Sequence, residues 1–358
     1  MKQFTTRQIV LLSVLLETHV TLLHAPSQAA AFAAQHAYWT CVVAAIVLCL
    51  PIWVFLKLGQ RFPDQDLFQV MVSSNPFIGR ILLMIYFVLF LIVFSRDLWI
   101  ITDLVKAVLL QQTPFFMISM IVLLTTVFMA KGGINTIVNL SEMFIPISIL
   151  TLLTMPFFFG VNMDFSEFRP FLYPNMSGIM KGGWYMFSYM ADILMIPFVL
   201  QGKSYRPSGA WWGHLIGTCF MIMIVLLMQL VIGVPILMRL FYPSYELARQ
   251  LYVTDFLDRF DIFVGGFTIP ALLIKLGMDL YVLSMIIKRL FPHVSGALMV
   301  WPVGLLGYIC SFIVFSNIIQ TYDFSREWTV VMMMFLVVLP LVLCLLLRPK
   351  NKGEEQGN

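Results

Sequence analysis

Apolar residues fill the chain in long runs separated by short polar stretches, and many runs reach about 18 or more residues, enough to cross a bilayer as helices. The pattern predicts about ten such helices. The first five fall near 8–32, 38–57, 77–110, 114–130 and 134–160. The second five fall near 183–200, 208–237, 256–290, 297–319 and 327–347. Segments three and eight exceed the bilayer thickness and are expected to tilt or protrude. Each is third in its group of five, which points to an internal repeat. The expected fold is an all-α polytopic membrane protein with a five-plus-five inverted repeat, over about 8–160 and about 183–347. One transmembrane domain over 1–350 leaves residues 351–358 as a polar tail. The stretch Met1–Ala34 imitates a signal peptide, but Glu17 and His19 interrupt its apolar core and further segments follow. It reads as a retained first helix.

A charged group at membrane depth costs about 2.5–3.5 kcal/mol, so the polar positions inside the runs are informative. Segment one carries Glu17-Thr18-His19 and then His24-Ala25-Pro26. Segment six carries Ser188-Tyr189-Met190-Ala191-Asp192, with Gly182 and Gly183 before and Pro197 after. Both read as interrupted helices, and each opens its repeat. Paired broken helices in inverted-repeat transporters expose backbone groups at the midplane to hold a solute. A zwitterion in hydrocarbon needs donors for its carboxylate and acceptors for its ammonium, and half-helix ends supply both. Glu17, Thr18, His19, Ser188, Tyr189 and Asp192 are therefore the candidate ligand-binding residues.

The other charges on the segments are Arg96, Asp97, Asp103, Glu142, Asp258, Asp261, Lys275 and Asp279. Lys275 and Asp279 lie one turn apart on one face. They form either a self-neutralised pair that fixes packing or a built-in cation facing segment one in place of sodium. Arg96 and Glu142 are assigned with them as structural or ion-substituting charges.

Composition sharpens the class. Hydrophobic residues make up 60% of the 358 positions and charged residues 11%, against about 45–50% and about 25% in soluble domains. The segments leave no room for a soluble catalytic domain. No nucleophile–base pair or metal-ligand set is visible, so neither an enzyme nor a metal or cofactor is expected. The five cysteines sit inside apolar runs and read as small core residues. The net charge of +4 is spread over loops and is no nucleic-acid signature. With the N-terminus inside, thirteen Lys and Arg fall on the inner loops and seven on the outer, which predicts cytoplasmic termini. Trp39, Trp53, Trp184, Trp211, Trp212, Trp301 and Trp328 lie near segment ends as interfacial anchors. The long connections 160–183 and 238–255 belong to the outer face, as linkers or lids.

Several motifs resemble one family. Gly133, Ile134, Ile137, Glu142, Phe144 and Pro146 follow the pattern G-[IV]-E-x-[IL]-A-R-x-x-E-x-F-x-P, which marks the fifth helix of the B subunit of spore germinant receptors. Phe256-Leu257-Asp258-Arg259-Phe260-Asp261, then Lys275 and Leu280-Tyr281, resemble that family's F-L-[ED]-R-x-D…K…L-Y segment. Arg96 ahead of Gln112-Thr113-Pro114, and the opening Thr6-Arg7-Gln8, match as well. The resemblance covers essentially the whole chain. It implies the architecture of the amino acid/polyamine/organocation permeases (the LeuT-type fold) and nutrient sensing in the inner membrane of a spore. It also implies an A-type membrane subunit and a C-type lipoprotein as partners. Departures fall at the pocket: Asn135 and Asn139 replace a Glu and an Arg of the pattern, and segment one lacks the central glycine. Segment six lacks the usual Gly-Glu pair, leaving Ser188 or Asp192 to stand in for the acid.

Three readings follow. The first is a germinant-receptor subunit that binds a small nutrient, such as an amino acid, and shifts a conformational equilibrium. The second is a proton-coupled amino-acid secondary transporter, with Glu17, His19, His24 or Asp192 carrying the proton. The third is a conducting pore inside a larger complex.

Overall fold

The computed structural model describes residues 4–160, 163–169, 174–250 and 260–346, which are helical apart from short connections. Asp258, the Phe256–Arg259 part of the eighth-segment motif and the tail 351–358 lie outside the described residues, as does the side chain of Asp261.

The chain opens with α1 (Thr6–Ala33), α2 (Ala37–Arg61), α3 (Leu67–Ser74), α4 (Pro76–Val108), α5 (Phe115–Lys131) and α6 (Gly133–Phe159). Then come α7 (Met176–Met190), a 3-10 turn (Ala191–Met195), α8 (Ile196–Val199), α9 (Pro207–Ile232), α10 (Val234–Leu237) and α11 (Pro243–Arg249). The chain closes with α12 (Phe260–Leu290), α13 (Gly296–Val314), α14 (Ile318–Met333), a π turn (Met334–Val338) and α15 (Leu339–Leu346). Among the described residues, seven continuous stretches are long and apolar enough to cross a membrane, the first of them, Thr6–Arg61, holding both α1 and α2. The fourth segment, α5, has 17 residues, and the sixth segment is divided, so both fall outside that criterion.

Side-chain caps set several boundaries. Thr5 and Gln8 form a reciprocal capping box at the start of α1, at 3.3 and 3.0 Å. Asn75 accepts from the N–H groups of Phe77 and Ile78, and Pro76 occupies the first turn of α4, where its missing N–H costs nothing. Asn317 caps α14 by accepting from Gln320 N at 2.8 Å. That cap starts the tenth segment at Ile318 rather than near 327 and ends the ninth at Val314. Trp328 consequently lies inside α14, 9% exposed, and is not an interfacial anchor. The seventh segment divides at Gly233, whose φ of +83° is a backbone state that favours glycine.

The interruption expected in the first segment is not present. α1 is one α-helix through Glu17-Thr18-His19 and past Pro26. Thr18 and Thr21 hydroxyls donate to the carbonyls of Val14 and Glu17, both at 2.7 Å, and so satisfy their own polarity without unwinding the helix. The expected break in the sixth segment is present, as the 3-10 turn between α7 and α8. Pro197 gives it a cause, since it cannot donate to the Ile193 carbonyl one turn back.

Packing sorts the helices into two groups. α1, α2, α7 and α9 pack extensively on one another, and α4, α5, α12 and α13 do likewise. α6 touches both groups through α1 and α12. α12 is the most enclosed helix: 78% of its most apolar window is buried, against 28% for α6 and α13. The first group is held by glycine ridges. Gly209, Gly213 and Gly217 of α9 meet Ile9, Ser13 and Glu17 of α1, so three contacts recur at every fourth residue on both helices. Small residues at this spacing let membrane helices approach closely, where dispersion rather than hydrophobicity drives association.

A Cβ on Gly213 would lie 2.4 Å from that of Ser13. Gly213→Val is expected to cost about 1–3 kcal/mol and lower the thermal midpoint of the detergent-solubilised protein. Gly266→Ala, where a Cβ meets nothing within 4 Å, should leave the midpoint unchanged.

Candidate functional site

Five charged side chains with no solvent exposure meet where α4, α12 and the 3-10 turn cross. Asp97 of α4 is their hub: one oxygen takes Arg96 Nε at 2.7 Å and the other takes Lys275 Nζ of α12. Lys275 also binds Asp192 Oδ2 and Asp279 Oδ2, each at 2.9 Å. Arg96 reaches Asp192 Oδ2 at 3.3 Å and donates through Nη1 to the Ser188 carbonyl at 3.3 Å. Its guanidinium lies 4.5 Å from the ring centre of Tyr189, a cation–π contact between two fully buried side chains. The Tyr189 hydroxyl is bonded to Ser325 Oγ of α14 at 2.8 Å. Arg96 thus grips the chain at the Ser188 carbonyl, just ahead of the change of helix type at Ala191.

The residues of α1 face elsewhere. Successive side chains on an unbroken helix diverge by about 100°, so Glu17, Thr18 and His19 serve three directions. Glu17 points to α9, where Thr218 Oγ1 donates at 2.9 Å and His214 Nδ1 lies at 3.1 Å; the other His214 nitrogen is 3.1 Å from the Ala45 carbonyl. His19 pairs with Ser148 Oγ of α6 through Nε2 and with Thr18 Oγ1 through Nδ1, both at 3.1 Å. His24 Nδ1 donates to the Phe241 carbonyl at 3.0 Å, beside the Tyr322 hydroxyl at 3.2 Å. Glu142 binds Gln8 Nε2 at 2.9 Å, away from the charged cluster.

The structure thus brings Ser188, Tyr189, Asp192, Arg96, Lys275 and Asp279 into one site. Glu17, Thr18, His19 and Glu142 are outside it. The partners of Lys275 come from α4, the 3-10 turn and its own helix, rather than from the first segment.

A cavity of about 60 Å³ lies between α1, α4, α6, α11 and α12, lined by His19, Leu23, Val105, Leu152, Tyr245 and Ile269 among others. That is room for a few waters or one short side chain. The connection after α10 covers this side of the bundle. Tyr242 ties it to α4 by a hydrogen bond to Asp103. Burial, with the adjacent carboxylate, pushes the Tyr242 phenol well above its ordinary range, so it stays a neutral donor.

A family model described as "Spore germination protein" (the spore permeases) matches residues 3–319. The chain belongs to the spore permease family. It is similar to YfkT of Bacillus subtilis (strain 168), provisionally described as a spore germination protein, at 24% identity over 332 residues and 92% of each chain. It is also similar to the spore germination protein YndE of the same organism, at 21% identity over 245 residues, 66% of this chain and 67% of the relative. Among solved structures it resembles Mhp1, a nucleobase-cation-symport-1 family transporter in a closed conformation with bromovinylhydantoin bound. The TM-score is 0.60 at 11% identity, over 95% of this chain and 76% of that one. The spore permease therefore has the LeuT-type fold of a solute transporter and is a multi-pass membrane protein.

The candidate set did not include Asp97, His214 or Thr218 of this spore permease. Asp97 carries a readable signal, since two adjacent charges in the middle of a long apolar run demand internal partners. His214 and Thr218 lie four apart in the seventh segment, the same-face spacing.

Lys275 binds three carboxylates, and none of these side chains has any solvent exposure. Lys275→Met should therefore destabilise the spore permease by about 3–5 kcal/mol and reduce the folded fraction, read by size-exclusion profile. Adding Asp279→Asn to that variant restores the native charge balance and should recover much of the loss.

Proposed function

We propose that this spore permease is the nutrient-recognising membrane subunit of a spore germinant receptor. It would bind a small nutrient, an amino acid in the first instance, and pass the occupancy of its site to partner subunits as a conformational change. The observation that carries this reading is the break in the sixth segment, where Ser188, Tyr189 and Asp192 meet charges from α4 and α12. In a regular helix these backbone and side-chain groups would be self-satisfied; at a break they are free to change partners. The fold supports the same reading, because the similar Mhp1 structure holds an organic solute.

A nutrient acts in this way only if it binds one arrangement of the helices better than another. The cluster offers such a difference, since Asp192 belongs to the α1–α2–α7–α9 side and its cationic partners to the α4–α12 side. The partners in the proposal are an A-type membrane subunit and a C-type lipoprotein. The location is the inner membrane, with both termini cytoplasmic. No chemistry on the nutrient is involved, so the proposal assigns no enzymatic activity.

A strain lacking this gene, screened for germination against single amino acids, should lose the response to one or a few of them. Asp192→Asn should shift the dose response to that nutrient by about tenfold or more while leaving the membrane level intact, a change of about 1.4 kcal/mol in occupancy. An unchanged dose response would remove the broken-segment site from the proposal. Uptake of labelled amino acid by proteoliposomes holding this chain alone would replace the sensor with a transporter.

A further inference from the structure

The buried cluster contains three carboxylates, Asp97, Asp192 and Asp279, and two cations, Arg96 and Lys275. Fully ionised, it sums to 2 − 3 = −1 in a site where every one of these side chains has zero exposure. A net charge has no solvation there, so the cluster is one positive charge short.

The hydrogen-bond pattern shows where the deficit lies. Both oxygens of Asp97 are engaged, one by Arg96 and one by Lys275. Asp192 and Asp279 each use Oδ2, and each has its Oδ1 buried without a partner. A buried carboxylate oxygen left bare on each of two neighbouring aspartates marks an unfilled position. A sodium ion needs a shell of several oxygens, and zero exposure leaves no void of even water size against these side chains. A proton needs only one oxygen.

The elements packed around the 3-10 turn offer no other source of the charge. α2 carries no acidic or basic residue between Trp39 and Leu56, and α8 carries none. α7 contributes the Tyr185 and Tyr189 hydroxyls, and its one charged residue, the exposed Lys181, lies ten residues before the turn. α1 brings Glu17 and His19, both committed to partners on other helices, and His24, held by the Phe241 carbonyl and the Tyr322 hydroxyl. His24 Nε2 is buried without a partner, so a second N–H there would be an unpaired charged donor. His24 therefore stays neutral.

We propose that the Asp192–Asp279 pair is a proton-binding site, holding one exchangeable proton in this closed arrangement while Asp97 remains ionised. Asp192 and Asp279 come from opposite helix groups. Separating the groups admits water and lets the proton leave to bulk, so opening the site and releasing H⁺ are one event. The proton site does not depend on the nutrient reading, which concerns a different ligand.

The test is infrared spectroscopy of the full chain in lipid at neutral pH. A native-minus-variant difference spectrum should show the C=O stretch of a buried carboxylic acid for both Asp192→Asn and Asp279→Asn. Glu17→Gln, a buried acid outside the cluster, should not remove that same band. Each aspartate variant is isosteric with the protonated form, so its thermal midpoint should not fall. If neither variant accumulates, the native chain decides: its acid band must convert to a carboxylate band as pH is raised. Absence of an acid band at neutral pH, or its persistence in both aspartate variants, overturns the proposal. So does a thermal midpoint raised by sodium but not by choline, which would place an alkali ion in the position instead.

Discussion

Ionised groups at the centre of a bilayer have to find their counter-charges inside the protein, and Asp97 is where this chain satisfies that demand. Arg96 and Lys275 come from different helices, and Asp97 lies between them with one oxygen on each, while Asp192 and Asp279 supply the remaining counter-charge. Removing a partner would leave a buried charge exposed to hydrocarbon, a much larger loss than the net worth of the intact pair. The register of α4 against α12 therefore follows from electrostatics as much as from packing. The position of the 3-10 turn follows in its turn, because Arg96 holds the Ser188 carbonyl and Asp192 together.

The polar residues of α1 illustrate how continuity of a helix distributes chemistry. Glu17, Thr18 and His19 are adjacent in the chain, yet they reach α9, their own backbone and α6 respectively. Glu17 and His19 each fix one helix–helix contact, while Thr18 serves α1 itself. A polar cluster in sequence becomes three separate ties in space, and only unwinding would gather it into one pocket.

Much of the architecture is legible in the sequence because hydrocarbon imposes so strict a rule on composition. The long apolar runs locate the helices to within a few residues, except where a cap intervenes: Asn317 starts α14 about nine residues, and Asn175 starts α7 about seven residues, ahead of the position hydropathy suggests. The short α3 was not apparent, since its start depends on Asp66, which both caps Gln69 N and binds Arg289 of α12. The Lys275–Asp279 pair is visible at its four-residue spacing, and Asp192 marks itself by charge and neighbouring Pro197. The convergence of these groups on Asp97 is a tertiary fact that local spacing cannot contain. Conversely, Pro26 and Glu17 signal a break in α1 that the structure does not make: the Glu17 carboxylate finds His214 and Thr218 on α9, and the helix runs on through Pro26.

The matched four-residue ladders of α1 and α9 bear on how the molecule can move. Ile9, Ser13 and Glu17 seated against Gly209, Gly213 and Gly217 resist both sliding and rotation, because a shift of one residue would drive side chains into backbone. Those two helices must travel as a rigid plate, taking α2 and α7 along through their own close contacts. Relative motion is then concentrated at the seam facing α4 and α12. The ionic cluster bridges that seam, and so it works as a clasp between two stiff plates, and the free energy of undoing it sets how often the protein opens.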